Sequence, residues 1–171
     1  MKVIVAALLL AALPLPAQEK ASHEYEYWAS CKPGSWVKTR MELENQGQKV
    51  EFEAVTRLLE VTPEKVTVEM MRRTKSGDRS IDSPPQRTEY KAGDLQKGKI
   101  IEERDEEISV AGKTLKCRYF EIETEASDKK GKTLVKAWMT KEIPGGAAKS
   151  EITSPQLKGP VRVTALEWEK K

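Results

Sequence analysis

Apolar and charged residues alternate one for one along much of this chain, which restricts those segments to strands with one buried face. Val37, Thr39, Met41 and Leu43 interleave with Lys38, Arg40, Glu42 and Glu44. A strand turns successive side chains to opposite faces, so the first set points to a core and the second to water. Val50, Phe52 and Ala54 repeat the pattern against Lys49, Glu51 and Glu53. The phase then slips, with Val55, Leu59 and Val61 carrying it on, which predicts a bulge near Ala54. Long capped runs of helical period do not occur; the best helical stretches are short, at His23 to Ala29 and Gly93 to Gln96. The fold class is therefore all-β and antiparallel.

Turn chemistry divides the strands. Pro63 in Thr62-Pro63-Glu64-Lys65 sits where a type I turn wants proline, and Val66, Val68 and Met70 then resume the alternation. Asn45-Gln46-Gly47 and Lys75-Ser76-Gly77-Asp78 supply further turns. From Arg79 to Lys99 the chain carries Pro84-Pro85, Gly93 and Gly98 with little periodicity, which reads as a long loop or irregular edge connection. Ile108 and Val110, a turn at Ala111-Gly112-Lys113, then Leu115, Cys117 and Tyr119 form a hairpin pattern, with a second phase slip into Phe120 and Ile122. After a charged turn at Asp128 to Lys132, Val135, Ala137 and Met139 alternate, Pro144-Gly145-Gly146 turns a corner, and strands at about Ala148 to Thr153 and Val161 to Trp168 follow. Trp36 and Trp138 are expected to pack across one sheet face.

The N-terminus reads as a cleavable secretory signal over residues 1–17: a charge at Lys2, an apolar run from Val3 to Leu13, and Ala17 after Pro14 and Pro16. That run is shorter than the roughly 20 residues a membrane-spanning helix needs, and no later segment approaches it, so no transmembrane span is expected. Residues 18–171 then form a single β-rich domain, secreted or periplasmic after cleavage. Of 30 basic and 27 acidic residues, removal of the leader takes Lys2 alone, leaving a net charge near +2 with both signs interleaved. Nucleic-acid binding, which rests on many phosphate contacts, finds little basis here. Cys31 and Cys117 are a candidate disulfide in an oxidising compartment; alternatively Cys117 is a small buried hydrophobe and Cys31 is free.

The motifs Cys31-Lys32-Pro33-Gly34-Ser35-Trp36-Val37, Val110-Ala111-Gly112-Lys113-Thr114-Leu115-Lys116-Cys117 and Lys136 to Gly146 with Lys149-Ser150-Glu151 resemble a group of uncharacterised secreted bacterial β-sheet proteins. That group is similar in turn to the lipoprotein-localisation (LolA-like) carriers. The resemblance implies an antiparallel meander curled into an open half-barrel with little helix, and implies no reaction. The carriers' long helices over the mouth of the sheet have no counterpart in this sequence.

The residues themselves argue against chemistry. The single histidine, His23, lies near the expected mature terminus, and one histidine with two distant cysteines cannot make a tetrahedral zinc set. Ser127-Asp128-Lys129-Lys130 has the serine-x-x-lysine spacing but lies among turn formers, where no helix aligns the two side chains. Gly112-Lys113-Thr114 and Gly131-Lys132-Thr133 echo a P-loop, yet Glu107 and Ala126 stand where its first glycine belongs. Glu142 and Glu151 flank the Pro-Gly-Gly corner as an acidic pair in a chain one-third charged, where such pairs arise by chance. No catalytic, cofactor or metal residues are expected. The expectation is a non-catalytic exported protein whose concave face, lined by Val37, Met41, Val50, Phe52, Val66, Val68, Met70, Val135 and Met139, holds a hydrophobic or lipid-like small molecule. The alternative is a cell-envelope module that binds a protein through a sheet edge, with the loop 79–99 guarding that edge.

Overall fold

The computed structural model describes residues 23–45, 48–76, 79–94, 98–126 and 131–171. The secretory signal, the Ser127 to Lys130 motif and parts of three turns lie outside the described residues. A short helix, α1 (His23–Ala29), precedes β1 (Trp36–Asn45), β2 (Gln48–Val61), β3 (Lys65–Ser76), β4 (Arg79–Asp82) and β5 (Gln86–Lys91). Then come β6 (Lys99–Val110), β7 (Lys113–Glu125), β8 (Lys132–Met139), β9 (Ala147–Thr153) and β10 (Val161–Glu169). All pair antiparallel in one open sheet of order β4-β3-β2-β1-β10-β9-β8-β7-β6, with β5 also on β3. Two meanders, β1 to β5 and β6 to β10, are thus joined where the first strand pairs with the last.

Of the long loop or irregular edge connection expected at 79–99, the described residues form the second, an interrupted edge made of β4 and β5. Ser83 N–H donates to the Arg72 carbonyl at 2.8 Å, and Pro84-Pro85 then interrupts one edge strand, leaving β4 and β5 in line against β3. Proline can neither donate to a ladder nor continue it, so the break falls there. The β2 bulge also lies elsewhere than expected: pairing with β1 is regular through Ala54, and the register shifts against β3 between Leu58 and Glu60. Val55 therefore faces away from the core side, opposite Lys38 and Met71. Nor does β7 slip at Tyr119. Its pairing with β8 is continuous, and the bulge is on β6 between Ile100 and Glu102. What changes along β7 is the covering: Leu115, Cys117 and Tyr119 are buried on one face, Phe120 and Ile122 on the other.

The sheet curls around α1. The His23 ring packs 4.7 Å from that of Phe120 on β7, while the Tyr25 hydroxyl reaches the carbonyls of Thr62 (3.1 Å) and Pro63 (2.9 Å) at the β2–β3 turn. β2 and β7 lie five strand spacings apart, roughly 24 Å across a flat sheet. A seven-residue helix is about 10 Å long, so a flat sheet could not meet it at both places. β7 pairs with β8 no further than Arg118–Met139, and beyond that point the β6–β7 hairpin continues as a two-stranded ribbon. The ribbon folds back toward β10, with the Lys113 ammonium 4.7 Å from the Trp168 ring centroid. Its Val110, Leu115 and Cys117 join Trp28, Val37, Leu58, Val66, Val68, Ile143, Ala148 and Ala165 in one buried cluster.

Candidate functional site

Residues directly opposite in an antiparallel ladder share a face, so register alone shows what each surface of the sheet offers. One row runs Phe52, Met41, Val163, Ser150, Ala137, Phe120 from β2 to β7. A second runs Val161, Ile152, Val135, Ile122, Ile100 from β10 to β6. Glu42 pairs with Arg162, which puts Leu43 next to Val161 in the same ladder; Leu43 pairs with Val50 and extends that row to seven strands. Six strand spacings give it a span of roughly 29 Å. This is the face that carries α1.

The opposite face carries charge in the same ordered way. Glu42, Arg162, Glu151, Lys136 and Glu121 alternate in sign from β1 to β7. Arg162 Nε meets Glu151 at 2.9 Å, Arg40 Nε meets Glu51 at 2.9 Å and Lys38 meets Glu53 at 3.1 Å. Lys38 and Glu53 are half-buried; the other two, more exposed pairs contribute about 0–1 kcal/mol each, so their main effect is to assign that part of the face to water. Glu151 is thereby held in an ion pair, while Glu142 lies exposed at the Pro-Gly-Gly corner.

The nine residues expected to line a concave face divide into two groups. Val37, Val66 and Val68 are in the filled core beneath α1. Met41, Val50, Phe52, Met70, Val135 and Met139 are half-buried, and five of them lie on the apolar side away from that plug or at its margin. Met70 pairs with Thr56 and borders the core group. The concave face is thus filled at one end and partly open along the two apolar rows.

The chemical candidates are dispersed. His23 packs against Phe120 and, at 6.3 Å, Tyr27. Cys31 Sγ donates to the Tyr27 carbonyl at 3.5 Å, and Cys117 lies near enough to Tyr27 to help raise its phenol pKa, after burial and Glu26. Both sulfurs are buried and unjoined in this structure. Burial, aided by Glu142 and Glu106, pushes the Cys117 thiol up to about 11, which keeps it protonated and poorly nucleophilic near neutrality. Gly112-Lys113-Thr114 and Gly131-Lys132-Thr133 open strands β7 and β8, so no helix N-terminus follows to receive a phosphate. Among the described residues no three His, Cys, Asp or Glu side chains are grouped to hold a metal ion.

Trp36 and Trp138 do not form the expected pair: the Trp36 indole donates to Glu169 at 3.1 Å, whereas Trp138 meets Tyr119 at 5.1 Å. Arg104 caps the Tyr119 ring at 3.8 Å and Lys149 caps Trp138 at 4.8 Å, which gives Arg104-Tyr119-Trp138-Lys149 across four strands of the charged face. Sequence alternation pointed to the apolar face but not to this aromatic row, because the partners come together only through register.

Among the described residues no helix is long and apolar enough to cross a membrane. No family model matches the chain, and no curated protein does. Among solved structures it is similar to a candidate exported protein with a YmcC-like fold from Bacteroides fragilis, at 9% identity and a TM-score of 0.50, over 82% of this chain and 97% of that one. What the two share is the fold: an open, mostly antiparallel sheet.

Proposed function

We propose that this chain is a non-catalytic exported binding protein whose open apolar rows hold an elongated hydrophobic, lipid-like molecule. The observation that carries this reading is the apolar row on the inner side of a curled sheet, in continuous register from Val161 to Ile100 and carried on by Leu43 and Val50 where the β1–β10 ladder ends. A surface built only to close a core would be covered by α1 throughout, as it is at Leu58, Val66 and Val68. Here the half-buried residues continue past the helix, and burying apolar area there is favourable by about 25 cal/mol per Å2. The leader-like N-terminus and the exported description of the structural neighbour support an address outside the cytoplasm.

Native mass spectrometry of protein purified from its own host tests the reading. A retained lipid-like mass, with a melting temperature that rises on adding long-chain fatty acids, is the expected result. An empty protein indifferent to every chain length would overturn it.

A further inference from the structure

The sheet has two ends, and they are built differently. At one, β3 is flanked by the short β4 and β5 with Pro84-Pro85 between them, an interrupted edge that resists pairing. At the other, β6 is twelve residues long and, among the described residues, pairs with β7 alone. From Glu102 to Val110 its register against β7 is unbroken; its outer edge is exposed over about Glu102 to Glu107, beyond which Ile108 and Val110 pack into the core.

The side chains on that edge are predominantly acidic: Glu102, Glu103, Asp105, Glu106 and Glu107, with Arg104 among them. Two arginines serve four of these carboxylates. Arg104 binds Glu102 and, at 2.9 Å, Glu106; Arg118 binds Glu103 at 3.1 Å and Asp105 at 2.9 Å. Each guanidinium is shared, and Lys116 on β7 stands opposite Glu107, so five carboxylates meet Arg104, Arg118 and Lys116 and the array keeps excess negative charge. Beside it Ile101, the bulged residue, is 47% exposed and offers an apolar anchor.

We propose that β6 is a docking edge that takes up an extended, basic segment of another protein as an additional antiparallel strand. The strand's backbone would complete the ladder, and its Lys or Arg side chains would lie opposite the under-neutralised carboxylates. A second copy of this chain fits poorly, because β6 against β6 would set acid beside acid at several positions. The charges that guard the edge against its own kind are the ones that select a basic strand. This inference does not rest on the ligand reading, since the concave rows and the β6 edge are separate surfaces.

The test uses the full mature chain and three synthetic peptides of equal length: alternating Lys and Val, alternating Glu and Val, and the Lys peptide with alternate backbone nitrogens methylated. Methylation removes ladder donors along one edge while keeping the charge. Binding read by fluorescence anisotropy is expected for the Lys peptide, weakened by salt, and at least about tenfold weaker for both others. Glu107→Lys, at an exposed position, is expected to weaken the Lys peptide roughly threefold to tenfold. Failure of the Lys peptide to bind would overturn the proposal. So would equal binding of the methylated peptide, which would leave charge attraction without a ladder.

Discussion

Gly146 lies so close to Tyr27 that a Cβ added there would fall 2.4 Å from the tyrosine Cγ, and at Gly145 it would fall 2.6 Å from Cε2 of Trp28. Both glycines have positive φ, 76° at Gly145 and 83° at Gly146. The Pro-Gly-Gly corner is therefore both a turn and the seat on which α1 docks. Gly145→Ala and Gly146→Ala are expected to cost about 2–4 kcal/mol each, strain and steric conflict together. Gly112→Ala, with φ of 74° and open space around it, should cost only about 1 kcal/mol. Urea denaturation of the three variants checks the ranking, and equal losses would show that α1 does not bear on the corner.

Ala111 has φ of 51° in the β6–β7 turn, next to Gly112 at 74°. A turn with two positive φ values favours Asn-Gly, and alanine holds that conformation at a cost. Ala111→Asn is expected to stabilise the protein by about 0.5–1 kcal/mol, read as a higher melting temperature.

Met41 and Val135 lie on separate apolar rows, on β1 and β8. Met41→Lys and Val135→Lys place a charge in the path of an apolar ligand, and each is expected to lower affinity for a fluorescent fatty-acid probe about tenfold or more. Lys136→Met, on the charged face beside Val135, should leave that affinity unchanged.

Cys31 and Cys117 share one buried cluster, and we propose that they join once the chain is in an oxidising compartment. A bridge enclosing 85 residues would stabilise the fold by about 4–5 kcal/mol on the chain-entropy model. Intact mass after alkylation in denaturant without reductant is expected to show no label; two labels would leave both sulfurs as core packing. In the reduced protein the folded state holds the Cys117 proton more tightly than the unfolded chain does. That contribution to stability is complete below pH 9.0 and is lost as the pH rises toward about 11.

Asp82 is held below the ordinary carboxylate range, first by its hydrogen bond from Arg73 and then by that residue's charge. A lowered carboxylate pKa stabilises the pairing of β4 with β3 above the unfolded pKa of 3.8, and the contribution is lost as the pH falls through the lower, folded value. An NMR titration is expected to show Asp82 protonating at lower pH than a model carboxylate. Arg73→Gln should return it to the ordinary range, and an unchanged midpoint would contradict the pairing.

Local pattern made much of this protein legible. Alternation located β1, β2, β3, β8 and their inward residues, because a half-buried strand writes its burial into the sequence with a period of two. Turn chemistry located the β6–β7 hairpin and the Pro-Gly-Gly corner, where backbone conformation restricts residue choice. The residues expected to line a concave face divide between core and margin, since nothing local tells Val66 beneath α1 from Met41 beyond it.

The rest was decided by contacts between distant segments. β4 and β5 carry no apolar period because, apart from Tyr90 against the core, these edge strands are exposed; Ser83, Arg87 and Glu89 are strand neighbours through backbone pairing with β3, and only the ladder makes them so. The bulges moved from Ala54 to Leu59 and from β7 to β6 because a bulge depends on which partner strand must be matched. Leu115 and Phe120 are buried on opposite faces of one regular strand because the ribbon beyond β8 folds back over the core. The sequence by itself determined that there would be strands with one apolar and one charged face. The pairing of β1 with β10, the curl around α1 and the division of that apolar face into plug and open row came from tertiary structure, because each depends on residues far apart in the chain meeting at once.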